Sequence, residues 1–215
     1  MFRSIALGVI TVSVAFCQSN PAPEQQSKGL APRANPTDYQ AHAQAGSITI
    51  GAEFTGHSVA TPEALLNTEE YVVVEVGLLG PPDARLTVSH SDFSIRINGK
   101  KMPAPADPYA AVFASLKDPE WVPPGDPQTK SKSGGLSTGG GSKDGEPPPL
   151  PPKVPVELKR LMAQRVQKAA LPEGGRPLPV AGLIFFQHGG KVQGIRSLEL
   201  IYEGPAGKAT LTLQP

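Results

Sequence analysis

Glu70 to Gly99 reads EYVVVEVGLLGPPDARLTVSHSDFSIRING. In its first third, Val72, Val74, Val76 and Leu78 fall on one side of an extended chain and Tyr71, Val73 and Glu75 on the other. Successive side chains of a strand point to opposite faces, and β-branched residues at this density favour strand over helix. Gly80-Pro81-Pro82 ends the strand. RLTVS then turns Leu86 and Val88 inward, and DFSIRING sets Phe93, Ile95 and Ile97 against Ser94, Arg96 and Asn98. Asn98-Gly99 is a two-residue turn signal, because both residues tolerate positive φ. KKM would begin the return strand. Such alternation marks a sheet with one face buried and the other wet, so the stretch predicts one half of a two-layer β core.

The pattern extends outward. Upstream, SITIGAEF (Ser47–Phe54) places Ile48 and Ile50 on one face. Near the C-terminus, VAGLIFFQ (Val180–Gln187) is almost continuously apolar, as a strand covered on both sides would be. SLELIYEG places Leu198, Leu200 and Tyr202 together, and KATLTLQ does the same for Ala209, Leu211 and Leu213. Gly189-Gly190 and Gly204-Pro205-Ala206-Gly207 supply the turns. About seven short strands bounded by turn residues predict an all-β chain, an antiparallel β-sandwich of immunoglobulin type. The cysteine pair and core Trp of antibody domains are absent, so that likeness is architectural.

YVVVEVGLL followed by DFSIRINGKK, and later AGLIFFQ and LELIYEG, resembles a family of exported bacterial immunoglobulin-like domains of unknown function, found in lipoproteins and secreted proteins. The resemblance covers about half the chain, in two blocks. It implies a sandwich fold, export, and no catalytic residues. The chain departs from the family pattern by a long insertion between the blocks. The first half of the sandwich is expected at 46–102 and the second at 180–215, with the insertion at 103–179.

Three parts make up that insertion. DPYAAVFASLKDPEW predicts a short helix over about 107–117, with Asp107 as N-cap, Pro108 at the first helical position, and a stop before Pro119. Phe113 and Trp121 are candidate partner contacts, set against a role in covering an end of the core. Val122 to about Lys153 is rich in Gly, Ser and Pro and reads as disordered linker. Its PPLPPKVP fits the form read by proline-binding grooves, although a linker explains it as well. VPVELKRLMAQRVQKAALPEGG predicts a second helix over about 155–170, with Leu158, Leu161, Met162, Val166 and Ala169 on one face and basic residues on much of the rest.

MFRSIALGVITVSVAFCQSN has the layout of a secretory signal over 1–17: Arg3, then an apolar run from Ile5 to Phe16 too short to span a bilayer. Cys17 is the only cysteine, so no internal disulfide forms. It is a candidate lipidation site in a lipobox-like context with Phe16 where a small residue is expected. The other reading is cleavage after Ala15-Phe16-Cys17, which releases a free chain. Residues 18–45, poor in large aliphatics, read as a disordered spacer.

Gly 23 and Pro 25 together make 48 of 215 residues, well above the usual share, so part of the chain is expected to stay unpacked. A net charge of +1 and 6% aromatics give no basis for nucleic-acid binding. His42, His57, His90 and His188 form no metal-ligand spacing, and the loop histidines His57, His90 and His188 serve only if they converge in space. There is no G-x-S-x-G elbow, STGGGSKDG lacks the phosphate-loop spacing, and Glu53 and Glu69-Glu70 make no acid/base pair. The expectation is an exported non-enzymatic protein without cofactor, periplasmic or secreted. Its role would be to bind or scaffold another envelope protein, with membrane contact only through a lipidated Cys17. The alternative is a metal or small-ligand module built on the loop histidines.

Overall fold

A computed structural model describes residues 28–122 and 154–215. The expected signal segment with Cys17, the start of the expected spacer, and the linker over 123–153 lie outside the described residues. The described chain forms β1 (Ala41–Ala45), β2 (Ile48–Gly56), β3 (Ser58–Ala60), β4 (Leu65–Thr68), β5 (Tyr71–Leu79), β6 (Arg85–Val88), β7 (Phe93–Ile97), β8 (Ala104–Pro105), β9 (Leu116–Lys117), α1 (Val156–Ala169), β10 (Gly174–Pro177), β11 (Val180–Gln187), β12 (Leu198–Gly204) and β13 (Gly207–Leu213). One sheet runs β1-β2-β5-β11 and a second runs β13-β12-β7-β8. Two small sheets, β3-β4-β9 and β10-β6, flank them, and every ladder is antiparallel.

The chain is all-β, with α1 as the one α-helix among the described residues. Each of the seven anticipated segments is a strand, and six further strands were not anticipated. Those six are short, and some pair across long sequence distances, such as Thr68 with Leu116 and Val88 with Gly174. Asn98 and Gly99 both take positive φ, and the Lys100 N–H closes the turn on the Ile97 carbonyl at 3.2 Å. KKM does not form the return strand; pairing with β7 resumes only at Ala104.

The main core lies between the two large sheets. Val72, Val74, Val76 and Leu78 of β5 meet Phe93, Ile95 and Ile97 of β7 and Leu198, Leu200 and Tyr202 of β12 in one buried cluster. The Phe93 and Tyr202 rings sit 5.0 Å apart and tilted, a favourable aromatic arrangement.

The outer face of β5 is buried as well. Tyr71 and Val73, with Leu183 and Phe185 of β11, enter a second cluster with Val59, Leu66, Val112, Leu116, Met162, Val166 and Ala169. Residues 109–117 and α1 of the insertion, with β3 and β4, thus form a third layer on the sheet, rather than a cap on one end of the core. α1 contributes Met162, Val166 and Ala169 to it, while Leu161, expected on the same face, stays 43% exposed. The first expected helix is a 3-10 helix at Tyr109–Ser115, shorter and tighter than read, with Pro108 as its N-cap in place of Asp107. The Asp107 backbone N–H is instead spent on the Phe185 carbonyl at 2.8 Å, which fixes the chain to β11.

Residues 28–45 are not spacer throughout. β1 pairs with β2, and the segment before it lies over the outer face of the same sheet. Gly51 and Gly77 are directly paired, and a Cβ on either would overlap the Tyr39 ring or its hydroxyl. The next outward pair is Glu53 with Glu75, two like charges in register. Arg33 resolves that repulsion. It meets Glu53 at 2.5 Å and binds Glu75 through Nε and Nη2 at 3.2 and 3.0 Å, with its guanidinium 4.6 Å above the Tyr39 ring. Burial opposes the Arg33 charge, and hydrogen bonds to Glu75 and Glu53 more than offset it, holding its pKa above the usual value.

β11 would be an open edge, which natural sheets protect. Three separate segments cover it: the N–H groups of Leu30, Leu171 and Asp107 donate to the carbonyls of Ala181, Leu183 and Phe185. Gly182 has no side chain because the backbone at Ala170 and Leu171 crosses where a Cβ would stand.

Phe185→Ala should lower unfolding free energy by about 3–5 kcal/mol in urea, as for other emptied core sites. Gly77→Val should displace Tyr39, and the measurement is faster tryptic cleavage after Arg33 than in the wild type under native conditions.

Candidate functional site

The described surface has a small cleft with convergent polar groups. It lies along the edge of β11, is floored by Leu183, Ile184 and Phe185, and holds about 40 Å³, room for a water rather than a metabolite. Asp107 and Tyr109 line one part of it, and His90 and Glu173 another. His90 opens the 3-10 turn between β6 and β7, and Glu173 immediately precedes β10, which pairs with β6. That pairing brings the two residues together. The Glu173 carboxylate accepts from the His90 ring at Nδ1 and from the His90 backbone N–H at 3.1 Å. Burial pushes the Glu173 carboxyl up, but these hydrogen bonds and the His90 charge prevail and hold it below the usual range. Asp92 beside them is pushed up by burial, only partly relieved by the Ser89 backbone and His90. Ser89 and Ser91 bond each other at 2.8 Å. The unit is an oriented histidine with a carboxylate behind it, a frame that braces β6 against β10.

The other histidines lie elsewhere. His42 is exposed on β1. His57 and His188 meet at the far end of the first sheet, where β2 and β11 finish beside the start of β5. His57 Nδ1 lies 2.7 Å from the Tyr71 carbonyl and Nε2 lies 3.0 Å from the Gly190 carbonyl. Burial, then the charges of His57 and Lys100, hold the His188 ring below the usual histidine range. Among the described residues, no three His, Cys, Asp or Glu side chains gather as metal ligands.

Of the expected partner contacts, Phe113 is half-buried against the second core, its ring 5.8 Å from that of Tyr109. Trp121 is half-buried just past that layer, with its backbone N–H donating to the Asp118 carbonyl at 3.2 Å. Glu53 is spent on Arg33, and Glu69 pairs with Lys117 at 2.5 Å. Glu173, Arg33 and Tyr39 carry the principal polar contacts and were missed by sequence reasoning. The one signal for the last two was a glycine in each of two strands otherwise rich in aliphatics.

Exposed large apolar side chains are unevenly distributed. Leu65, Val122, Val156 and Leu161 belong to the third layer or its margins, and Met102 is the remaining one among the described residues. The outer face of the second sheet is polar by contrast, with Arg96–Glu199 and Lys208–Glu203 ion pairs at 2.7 and 3.0 Å. No helix among the described residues is long and apolar enough to cross a membrane. Comparison with protein-family models, with curated proteins and with solved structures finds no match.

A carboxyl held low in the folded state contributes stability above its unfolded value, and that contribution is lost as pH falls through the folded value. Wild type should therefore lose its advantage over Glu173→Gln as pH drops below the ordinary glutamate range, and keep it at neutral pH. Thermal melts of both proteins across that range measure it.

Proposed function

We propose that the chain is an exported, non-enzymatic immunoglobulin-like β-sandwich protein, periplasmic or secreted, that binds or scaffolds another envelope protein through its third layer. The observation that supports this reading is the concentration of exposed apolar side chains on that layer, opposite a salt-bridged polar sheet face. Apolar exposure gathered on one side of a molecule is a feature of protein interfaces. Half-buried Phe113 on that layer and Trp121 just past it are the aromatic side chains such interfaces favour as anchors. The sequence features of export and the strand pattern of the immunoglobulin-like family are consistent with this. Membrane contact then requires lipid on Cys17. The alternative metal or small-ligand role would need the three loop histidines together, whereas His57 and His188 meet at one place and His90 lies at another.

The test is cross-linking in native envelopes with wild type and with the double variant Leu65→Glu, Leu161→Glu. Both positions are exposed, so stability should change by no more than about 0.5 kcal/mol each. The expected result is a specific adduct with wild type that the variant loses while its melting temperature stays put. An adduct of equal yield from both proteins would place binding elsewhere.

A further inference from the structure

His57 presents an unusual demand. Both of its ring nitrogens face backbone carbonyl oxygens, Tyr71 at 2.7 Å and Gly190 at 3.0 Å. A carbonyl only accepts, and a neutral imidazole carries a single N–H. A neutral ring can therefore satisfy one of the two carbonyls and must turn a lone pair toward the other. Only the imidazolium donates to both, through charge-assisted bonds.

The two carbonyls belong to different parts of the fold. Tyr71 begins β5, and Gly190 lies in the connection from β11 to β12. That connection rests on the corner after β2 in a second way, with Val192 against the bare Cα side of Gly56, a positive-φ residue at a register shift. Its far end is held by groups that do not titrate. Asn98 Nδ2 donates to the Gly194 carbonyl at 2.9 Å, and Asn98 Oδ1 accepts from the N–H groups of Arg196 and Ser197 at 2.6 and 3.2 Å. The loop is thus pinned at several points, of which the His57 clasp is the protonation-dependent one.

The geometry points to a pH-dependent latch: protonated His57 clasps the loop Gln187–Gly194 to the start of β5, and loss of that proton releases the Gly190 end. The charged and titratable groups around it are His188 on the loop itself, Lys100 from the turn after β7, Lys191 next to Gly190, and Glu70 before Tyr71. Glu70 holds the His188 backbone N–H through its carbonyl at 2.8 Å. His188 stays uncharged more readily than an ordinary histidine because of burial, His57 and Lys100, and the ring held between two carbonyls is that of His57.

The test is amide hydrogen exchange of the 187–194 segment at about pH 5 and about pH 8, the histidine window, each corrected for intrinsic exchange. Wild type, His57→Gln, His188→Gln and Asn98→Ala are compared. Wild type should lose roughly three- to tenfold protection between the two pH values, the size of one net hydrogen bond. His57→Gln should be flat, since its amide cannot gain a donor. His188→Gln should keep the wild-type fall, and Asn98→Ala should loosen the loop at both pH values while keeping the fall. Equal wild-type protection at the two pH values overturns the latch. So does a fall that survives in His57→Gln or vanishes in His188→Gln.

Discussion

The fold depends on one constraint: the neighbouring strands β5 and β11 are apolar on both faces. A strand whose two sides carry Val72, Val74, Val76 and Leu78 on one face and Tyr71 and Val73 on the other cannot belong to a sheet with a wet face. The second large sheet satisfies only the inner side. The outer side needs another layer, and the insertion supplies it together with the β3–β4 hairpin. Tyr71, Val73, Leu183 and Phe185 are buried by residues from three separate segments: the β3–β4 hairpin, the 3-10 helix and α1. The insertion is therefore structural before it is anything else.

The same constraint explains the N-terminal segment. Beyond Tyr71 and Val73, the outer face continues to Glu75 and Gly77, where no aliphatic cover would fit. The chain answers with a different chemistry. Tyr39 lies flat on the paired glycines, and Arg33 neutralises the paired glutamates with most of its donors engaged. Half of this face is closed by hydrophobic burial and half by a cation held between two carboxylates. Truncating Arg33 alone would leave Glu53 and Glu75 opposed, with Glu75 only 14% exposed.

Much of this was legible in the sequence because it is local. The alternation in β5, β7, β12 and β13, the unbroken apolar run of β11 and the Asn98-Gly99 turn each depend on neighbours two residues away. α1 at Val156–Ala169 likewise follows its 3.6-residue period. What was not legible depends on distant partners. The cover at 28–40 has almost no aliphatic residues, and its meaning lies in Gly51 and Gly77, which pair only once β2 and β5 are in register. His90 and Glu173 are 83 residues apart and meet through the β6–β10 ladder. The face of the sheet on which the insertion would lie was equally hidden, although Tyr71 and Val73 already asked for cover there.

The central claim is that the third layer and the sandwich are one cooperative unit. The single tryptophan, Trp121, sits half-buried at the margin of that layer, whereas the far-ultraviolet signal reports mostly the sheets. Urea unfolding followed by both probes, in wild type and in Val166→Asp, tests the claim directly. One coincident transition in wild type, with both probes shifted together to lower urea in Val166→Asp, is the predicted result. A tryptophan transition that precedes the loss of strand signal, or a variant that moves the tryptophan midpoint alone, would show a separable layer and contradict the account.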